Sequence, residues 1–155
     1  MSTNKSFSTE TSERYSRALF EVSKDANELE KVEADVNKFQ LLLTSSYEIK
    51  NFIKDPTQNT TEQGKVINLL AEKLEFSKNL KNFFLLLIEK KRIFFVNKII
   101  ESFLRLCSQK RGEIKASLIS SKELSQTELE NISKDLSNIM GLVLKFDYKV
   151  DKELI

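Results

Sequence analysis

Few residues in this chain could do chemistry by type and spacing. A catalytic thiol needs a base beside it, and a metal needs several ligands, yet Cys107 is the single cysteine and histidine is absent. That removes the commonest general base, any zinc site and any disulfide within the chain, and it fits a reducing compartment. The three glycines, Gly64, Gly112 and Gly141, stand too far apart for a phosphate loop or a dinucleotide turn. Carboxylates are plentiful, as in Glu28, Glu30, Glu33 and Asp35, but their spacing reads as the solvated face of a helix. Cys107, between Leu106 and Ser108 on an apolar helix, reads as a small buried hydrophobe. These residues point away from an enzyme, and they offer no cofactor or small-molecule site.

Charge gives one further candidate chemistry. Lys90, Lys91 and Arg92, with Lys98, Arg105, Lys110 and Arg111, could contact phosphate, as a helical RNA-binding transcription regulator would. Glu89 and Glu101 interrupt the set, however, and no aromatic-and-basic RNA signature accompanies it. A solvated face is the ordinary meaning of such charges. The net charge of +2 divides unevenly: residues 112–155 carry six Lys against eight acidic groups, so the bias toward positive lies in residues 1–111.

The elements that must position these residues are mostly helices. With 155 residues, 40% of them apolar, three Gly and one Pro, the chain can bury a core and favours long helices over turn-rich sheets. Residues 1–11, rich in Ser and Thr, read as a flexible tail without the apolar segment of a secretory signal. A first helix is expected over Ser12–Lys24, with Tyr15, Ala18, Leu19 and Val22 on one face, and a second over Asn27–Leu43. Ser45 with Glu48 and Thr60 with Gln63 read as capping boxes opening a third and a fourth helix, Pro56 ending the third. Ser77 caps a fifth, Lys78–Lys90, and a sixth runs Ile93–Lys110 to Gly112. Beyond Gly112 the period changes. Glu113–Ser120 and Leu142–Val150 alternate as strands, and between them Ser125 with Glu128 opens a helix ending at Gly141. The expected fold is mainly α: a six-helix N-terminal bundle over 12–111, then a small, incomplete α/β domain of β-α-β order over 112–155.

Two helices carry more apolar surface than one buried stripe requires. The fifth holds Leu80 and the run Phe83–Ile88, and the sixth holds Ile93–Val96, Ile99, Ile100, Phe103, Leu104 and Leu106. The run of six is far short of the roughly 20 residues that span a bilayer, so direct membrane insertion is not expected. A helix apolar all round is either central to a bundle or offers a second face to a partner. The sixth helix reads as the central one. The first and fifth together either complete the core or form a groove for a partner helix.

Several segments resemble a known family in order along the chain. Arg14-Tyr15-Ser16-Arg17-Ala18-Leu19-Phe20, Asn51-Phe52-Ile53-Lys54-Asp55-Pro56 with Lys65, and Asn82-Phe83, Leu86-Leu87, Arg92 and Phe103 are similar to its helical part. Gly112-Glu113-Ile114-Lys115-Ala116 and Leu124-Ser125 are similar to its second part. The family is the delta subunit of bacterial F-type ATP synthases, the counterpart of the mitochondrial oligomycin-sensitivity-conferring protein. It continues with a glycine pair and a β-hairpin beyond the stretch matched by Val150–Ile155, which this sequence does not contain.

The resemblance implies a non-catalytic peripheral-stalk (stator) subunit on the cytoplasmic face of the bacterial inner membrane. Its implied partners are the N-terminal segment of an alpha subunit, held by the bundle, and the b-subunit stalk, met by the C-terminal part. Carried over to matching positions, the alpha segment lies on Tyr15, Ala18 and Leu86, with Val22, Phe83 and Leu87 beside them. No nucleic acid, metal or cofactor is implied.

Overall fold

The computed structural model describes residues 2–141 and 143–154. Met1, Ile155 and Leu142, the last expected to open the second strand, lie outside the described residues. The chain divides into two compact units, Met1–Cys107 and Ser108–Ile155.

Six α-helices build the first unit: α1 (Ser2–Asp25), α2 (Leu29–Ser45), α3 (Tyr47–Lys54), α4 (Thr60–Lys73), α5 (Lys78–Glu89) and α6 (Val96–Lys110), the last reaching into the second. A 3-10 turn over Ile93–Phe95 leads into α6, where a single continuous helix was expected. Apolar residues at helical spacing face inward from three sides. Val32, Val36, Phe39 and Leu43 come from α2, Leu80, Phe84 and Leu87 from α5, and Val96, Ile99, Phe103 and Cys107 from α6. The rings of Phe39 and Phe84 lie 4.5 Å apart at the centre. Helix α6 is thus the central element, and Cys107 is a buried spectator.

Several local expectations change, each for a physical reason. The tail over 1–11 is replaced by three further turns of α1. Thr9 is exposed, but Ser8, Thr11, Ser12 and Ser16 recur at helical spacing on the buried side. There Lys98 Nζ donates to Ser8 Oγ at 2.7 Å, and Ser16 Oγ and Ser102 Oγ share a 2.9 Å hydrogen bond. Small polar side chains that satisfy one another let α1 lie close to α6. Ser46, not Ser45, caps α3, and Asn59, not Thr60, caps α4. Gln63 turns inward instead and donates to the Ile53 carbonyl at 3.3 Å. Ser77 caps α5 as expected.

Asp35 is the clearest departure. Placed by its spacing among solvated carboxylates, it is 1% exposed. Its Oδ2 accepts the backbone N–H of Ser77 at 2.7 Å, and Lys31 and Lys38 reach it at 3.4 and 3.3 Å from the rim. The same two ammonium groups donate to the carbonyls of Glu75 and Leu74. One carboxylate therefore fastens α2 to the link between α4 and α5.

The second unit is β1 (Glu113–Ser120), α7 (Gln126–Met140) and β2 (Val143–Val150). The chain is mainly helical, with seven α-helices among the described residues and one two-stranded sheet. The strands are parallel, in register from Glu113 opposite Val143 to Ser120 opposite Val150. The Ser125–Glu128 capping box forms as expected, and Gly141 closes α7 at φ 66°, a left-handed conformation that suits glycine. Tyr148 Oη accepts the Leu124 N–H at 2.8 Å and donates to the Lys122 carbonyl at 3.1 Å, holding the β1–α7 link against β2.

Candidate functional site

The face shared by α1 and α5 carries exposed apolar residues from both helices. The two pack against each other. Tyr15 meets Phe83 edge-on, ring centroids 6.4 Å apart at 68°. Toward one end, Asn79 Nδ2 donates to Glu28 Oε2 at 2.8 Å; toward the other, the Arg92 guanidinium sits 5.9 Å over the Phe7 ring. Residues rising along α1 therefore meet residues falling along α5, which makes the pair antiparallel.

The six expected contact residues do not share one environment. Ala18 is exposed, Val22 is 52% exposed and Leu86 41% exposed, while Tyr15 is half-buried. Phe83, at 8%, forms the floor. Leu87 is a correction: at 0% exposure it belongs to the core and has no surface to offer a partner. It sits one residue beyond Leu86, about 100° round the helix, and so faces inward. Val22 and Ala18 on α1 and Leu86 on α5 are thus exposed apolar residues of the two helices that the Tyr15–Phe83 contact joins, and the surface depression at Ala18 is otherwise lined by Glu10, Glu13, Arg14, Arg17 and Glu21.

Two residues of this side of α1 lie before Ser12, in the stretch whose Ser and Thr content reads as a tail. Thr11 and Phe7 lie four and eight residues before Tyr15, on the same side of α1. Phe7 is 55% exposed. The spacing of Phe7, Thr11 and Tyr15 was the signal; the Ser and Thr residues between them concealed it.

The basic residues do not assemble into a phosphate-binding surface. Lys90 pairs with Glu89 at 3.0 Å, Lys98 is spent on Ser8, Arg105 donates to Ser102 Oγ at 3.3 Å, and Arg111 pairs with Glu113. No group of three or more metal-ligating side chains gathers among the described residues, nor is any described helix long and apolar enough to cross a membrane. A cavity of about 550 Å³ lies between the Asp55–Thr60 loop and Ile88, Lys91, Ile93 and Phe94. Its carboxylate is already committed: the Thr57 hydroxyl at 2.6 Å, the Thr57 N–H and Gln58 hold Asp55 below the usual carboxylate range.

A helical bundle that leaves apolar side chains exposed beside the seam of two helices has the form of a protein that binds another. The family model for the ATP synthase delta (OSCP) subunit matches residues 11–155. The chain is 41% identical, over its whole length and 84% of the relative's, to ATP synthase subunit delta of Pelagibacter ubique. It is 32% identical, over its whole length and 83% of the relative's, to that of Dinoroseobacter shibae. Its fold superposes with TM-score 0.72 and 25% identity on a chain of the mitochondrial ATP synthase hexamer of Toxoplasma gondii, covering 92% of this chain and 79% of that one. The chain belongs to the ATP synthase delta (OSCP) subunit family, and it is accordingly a non-catalytic peripheral-stalk subunit of ATP synthase. Its association with a membrane is peripheral, through the complex, and nothing found supports the RNA-binding alternative.

Proposed function

We propose that the first unit holds the N-terminal segment of an alpha subunit as a helix in the α1–α5 groove, while the second unit meets the b-subunit stalk. The complex then sits on the cytoplasmic face of the bacterial inner membrane, and this chain keeps the catalytic head from turning with the rotor. Torque can drive ATP synthesis only if the head is held still.

One observation carries the reading: Ala18 and Val22 of α1 and Leu86 of α5 expose apolar surface on the two helices that the Tyr15–Phe83 contact joins. Ala18 is the small residue that lets a partner helix approach closely, and Val22 and Leu86 flank it. Covering two such half-exposed side chains is worth roughly 1 kcal/mol each, enough to place a helix if the floor is preformed.

The test is calorimetric titration of the whole chain with a synthetic peptide of the first twenty or so residues of the same organism's alpha subunit. Ala18→Asp buries an unpaired charge at the contact and is expected to weaken binding at least tenfold. Leu69→Asp changes an exposed residue of α4 and is expected to leave binding unaltered. Wild-type affinity in Ala18→Asp would remove the site assignment.

A further inference from the structure

The cavity between the Asp55–Thr60 loop and the link after α5 holds polar groups that the fold has not paired off. Gln63 lines it and is 5% exposed. Its Nε2 donates to the carbonyls of Ile53 at 3.3 Å and Asp55 at 3.5 Å. Carbonyls accept only from the amide's NH2 end, so these two bonds fix which way the side chain points. Gln63 Oε1 accepts no hydrogen bond among the described residues, which leaves a covered acceptor in the cavity wall.

Lys91 stands in the facing wall, and its ammonium has no ion pair or hydrogen bond among the described residues. The residue closes α5 at φ 53°, a left-handed conformation that glycine adopts more readily. Asp55 is the other charge in the lining. Thr57 occupies its Oδ1 twice, whereas its Oδ2 accepts Gln58 Nε2 alone, so one acceptor position stays open there. The neighbouring charges are engaged elsewhere: Glu62 pairs with Lys65 and Glu89 with Lys90, and Lys54 lines an adjoining depression with Asn51 and Phe52. Ile88 and Ile93, both buried, and the half-exposed Phe94 give the same cavity an apolar side.

A cation on one wall, a carboxylate and a free carbonyl on the other, and apolar surface between them suit a ligand charged at both ends. We propose that this cavity binds a small zwitterion of about dipeptide size with apolar side chains. Its carboxylate lies at Lys91, its ammonium donates to Gln63 Oε1 and Asp55 Oδ2, and its side chains cover Ile88, Ile93 and Phe94. The volume of about 550 Å³ falls within the range of small-molecule sites. None of these residues is among those proposed to hold the alpha segment, so the site stands apart from the function proposed above.

Titration of the intact, isotope-labelled chain with the dipeptide Leu-Phe, followed by amide shifts, tests the assignment. Saturable shifts are expected over Thr57–Gln63 and Lys91–Phe94. N-acetyl-Leu-Phe lacks the ammonium and Leu-Phe amide lacks the carboxylate, and each is expected to bind about fivefold more weakly. Gly-Gly, without the apolar body, is expected to bind more weakly still. In the protein, Lys91→Gly removes the cation and suits the left-handed turn, so the fold is kept while affinity for Leu-Phe drops about fivefold. Absence of shifts at these amides, shifts confined to another surface, or equal affinity for the blocked dipeptides would overturn the proposal. Unaltered affinity in Lys91→Gly would overturn it as well.

Discussion

The two units solve the burial problem to different degrees. The first closes a core on itself: Val32, Val36, Phe39, Leu80, Phe84, Val96 and Phe103 are each fully enclosed. In the second, Leu144, at 7%, is the buried apolar residue among those described, and α7 buries none. Ile139 is 79% exposed, Val143 56% and Met140 54%. The sheet has two strands, so each presents one unpaired edge. The first unit is held by apolar burial; the second leaves most of its apolar side chains exposed and is held largely by hydrogen bonds and short-range geometry. The lesson is that one chain can fix one unit by its core and another by backbone pairing.

The largest expected effect breaks the contrast from the first unit's side. Phe84→Ala empties the centre where the Phe39 and Phe76 rings converge, and is expected to cost about 3–5 kcal/mol. Urea titration followed by far-UV dichroism measures it. Leu144→Ala, in the second unit, is expected to cost less, because fewer enclosed neighbours lose contact. Amide exchange sharpens the same comparison. Amides of α2 and α5 are expected to open only with global unfolding, and those of β1 and β2 at lower free energy. Equal protection across the chain would show that the second unit is as tightly closed as the first.

A smaller effect probes how the bundle is fastened. Asp35→Ala leaves the Ser77 N–H buried without its acceptor and is expected to cost about 2 kcal/mol. Asp35→Asn, which keeps a carbonyl oxygen, is expected to recover part of that in the same titration. If the two variants melt alike, the hydrogen bond to Ser77 is not what the carboxylate contributes.

Legibility in the sequence followed the kind of force at work. The helices of the first unit and the β-α-β order of the second were readable because apolar periodicity dictates them, as Val32-Val36-Phe39 and the alternation through Phe146 and Tyr148 show. Asp35 and the Ser8–Ser12–Ser16 stripe were not readable. A polar residue on a helix is ordinarily solvated, and only tertiary partners such as Ser77 and Lys98 reveal otherwise. The same masking cut α1 short and hid Phe7. On α1 the spacing put Tyr15, Ala18 and Val22 on one face, while on α5 telling exposed Leu86 from buried Leu87 required knowing which side of the helix meets the core. An all-apolar run does not give that side by itself. The capping serine at position 46 lost to its neighbour because Ser45 has Glu48 three residues on and Ser46 has Ile49 there, yet it is the Ser46 hydroxyl that accepts the Ile49 N–H.

The smallest expected effect belongs to the second unit and depends on pH. Glu113 receives the Arg111 guanidinium at 2.9 Å and Lys145 Nζ at 3.0 Å, and these hold its pKa at about 2 against an ordinary 4.5. Arg111 is the larger cause. Because the folded value is the lower one, the unfolded chain takes up the proton first. The stability this pairing lends is therefore complete above about pH 4.5, diminishes below it, and is gone once pH falls through about 2. The Glu113 side chain is largely covered, but its partners Arg111 and Lys145 are exposed and water screens the pairing from their side, so the contribution is modest. Glu113→Gln is expected to lower the melting temperature of the second unit slightly at pH 6 and not at all near pH 2, as read by thermal melts of both proteins across that range. A gap between them that stays constant with pH would mean that the charge on Glu113 plays no part. The start of β1 would then be pinned by its register with Val143 alone.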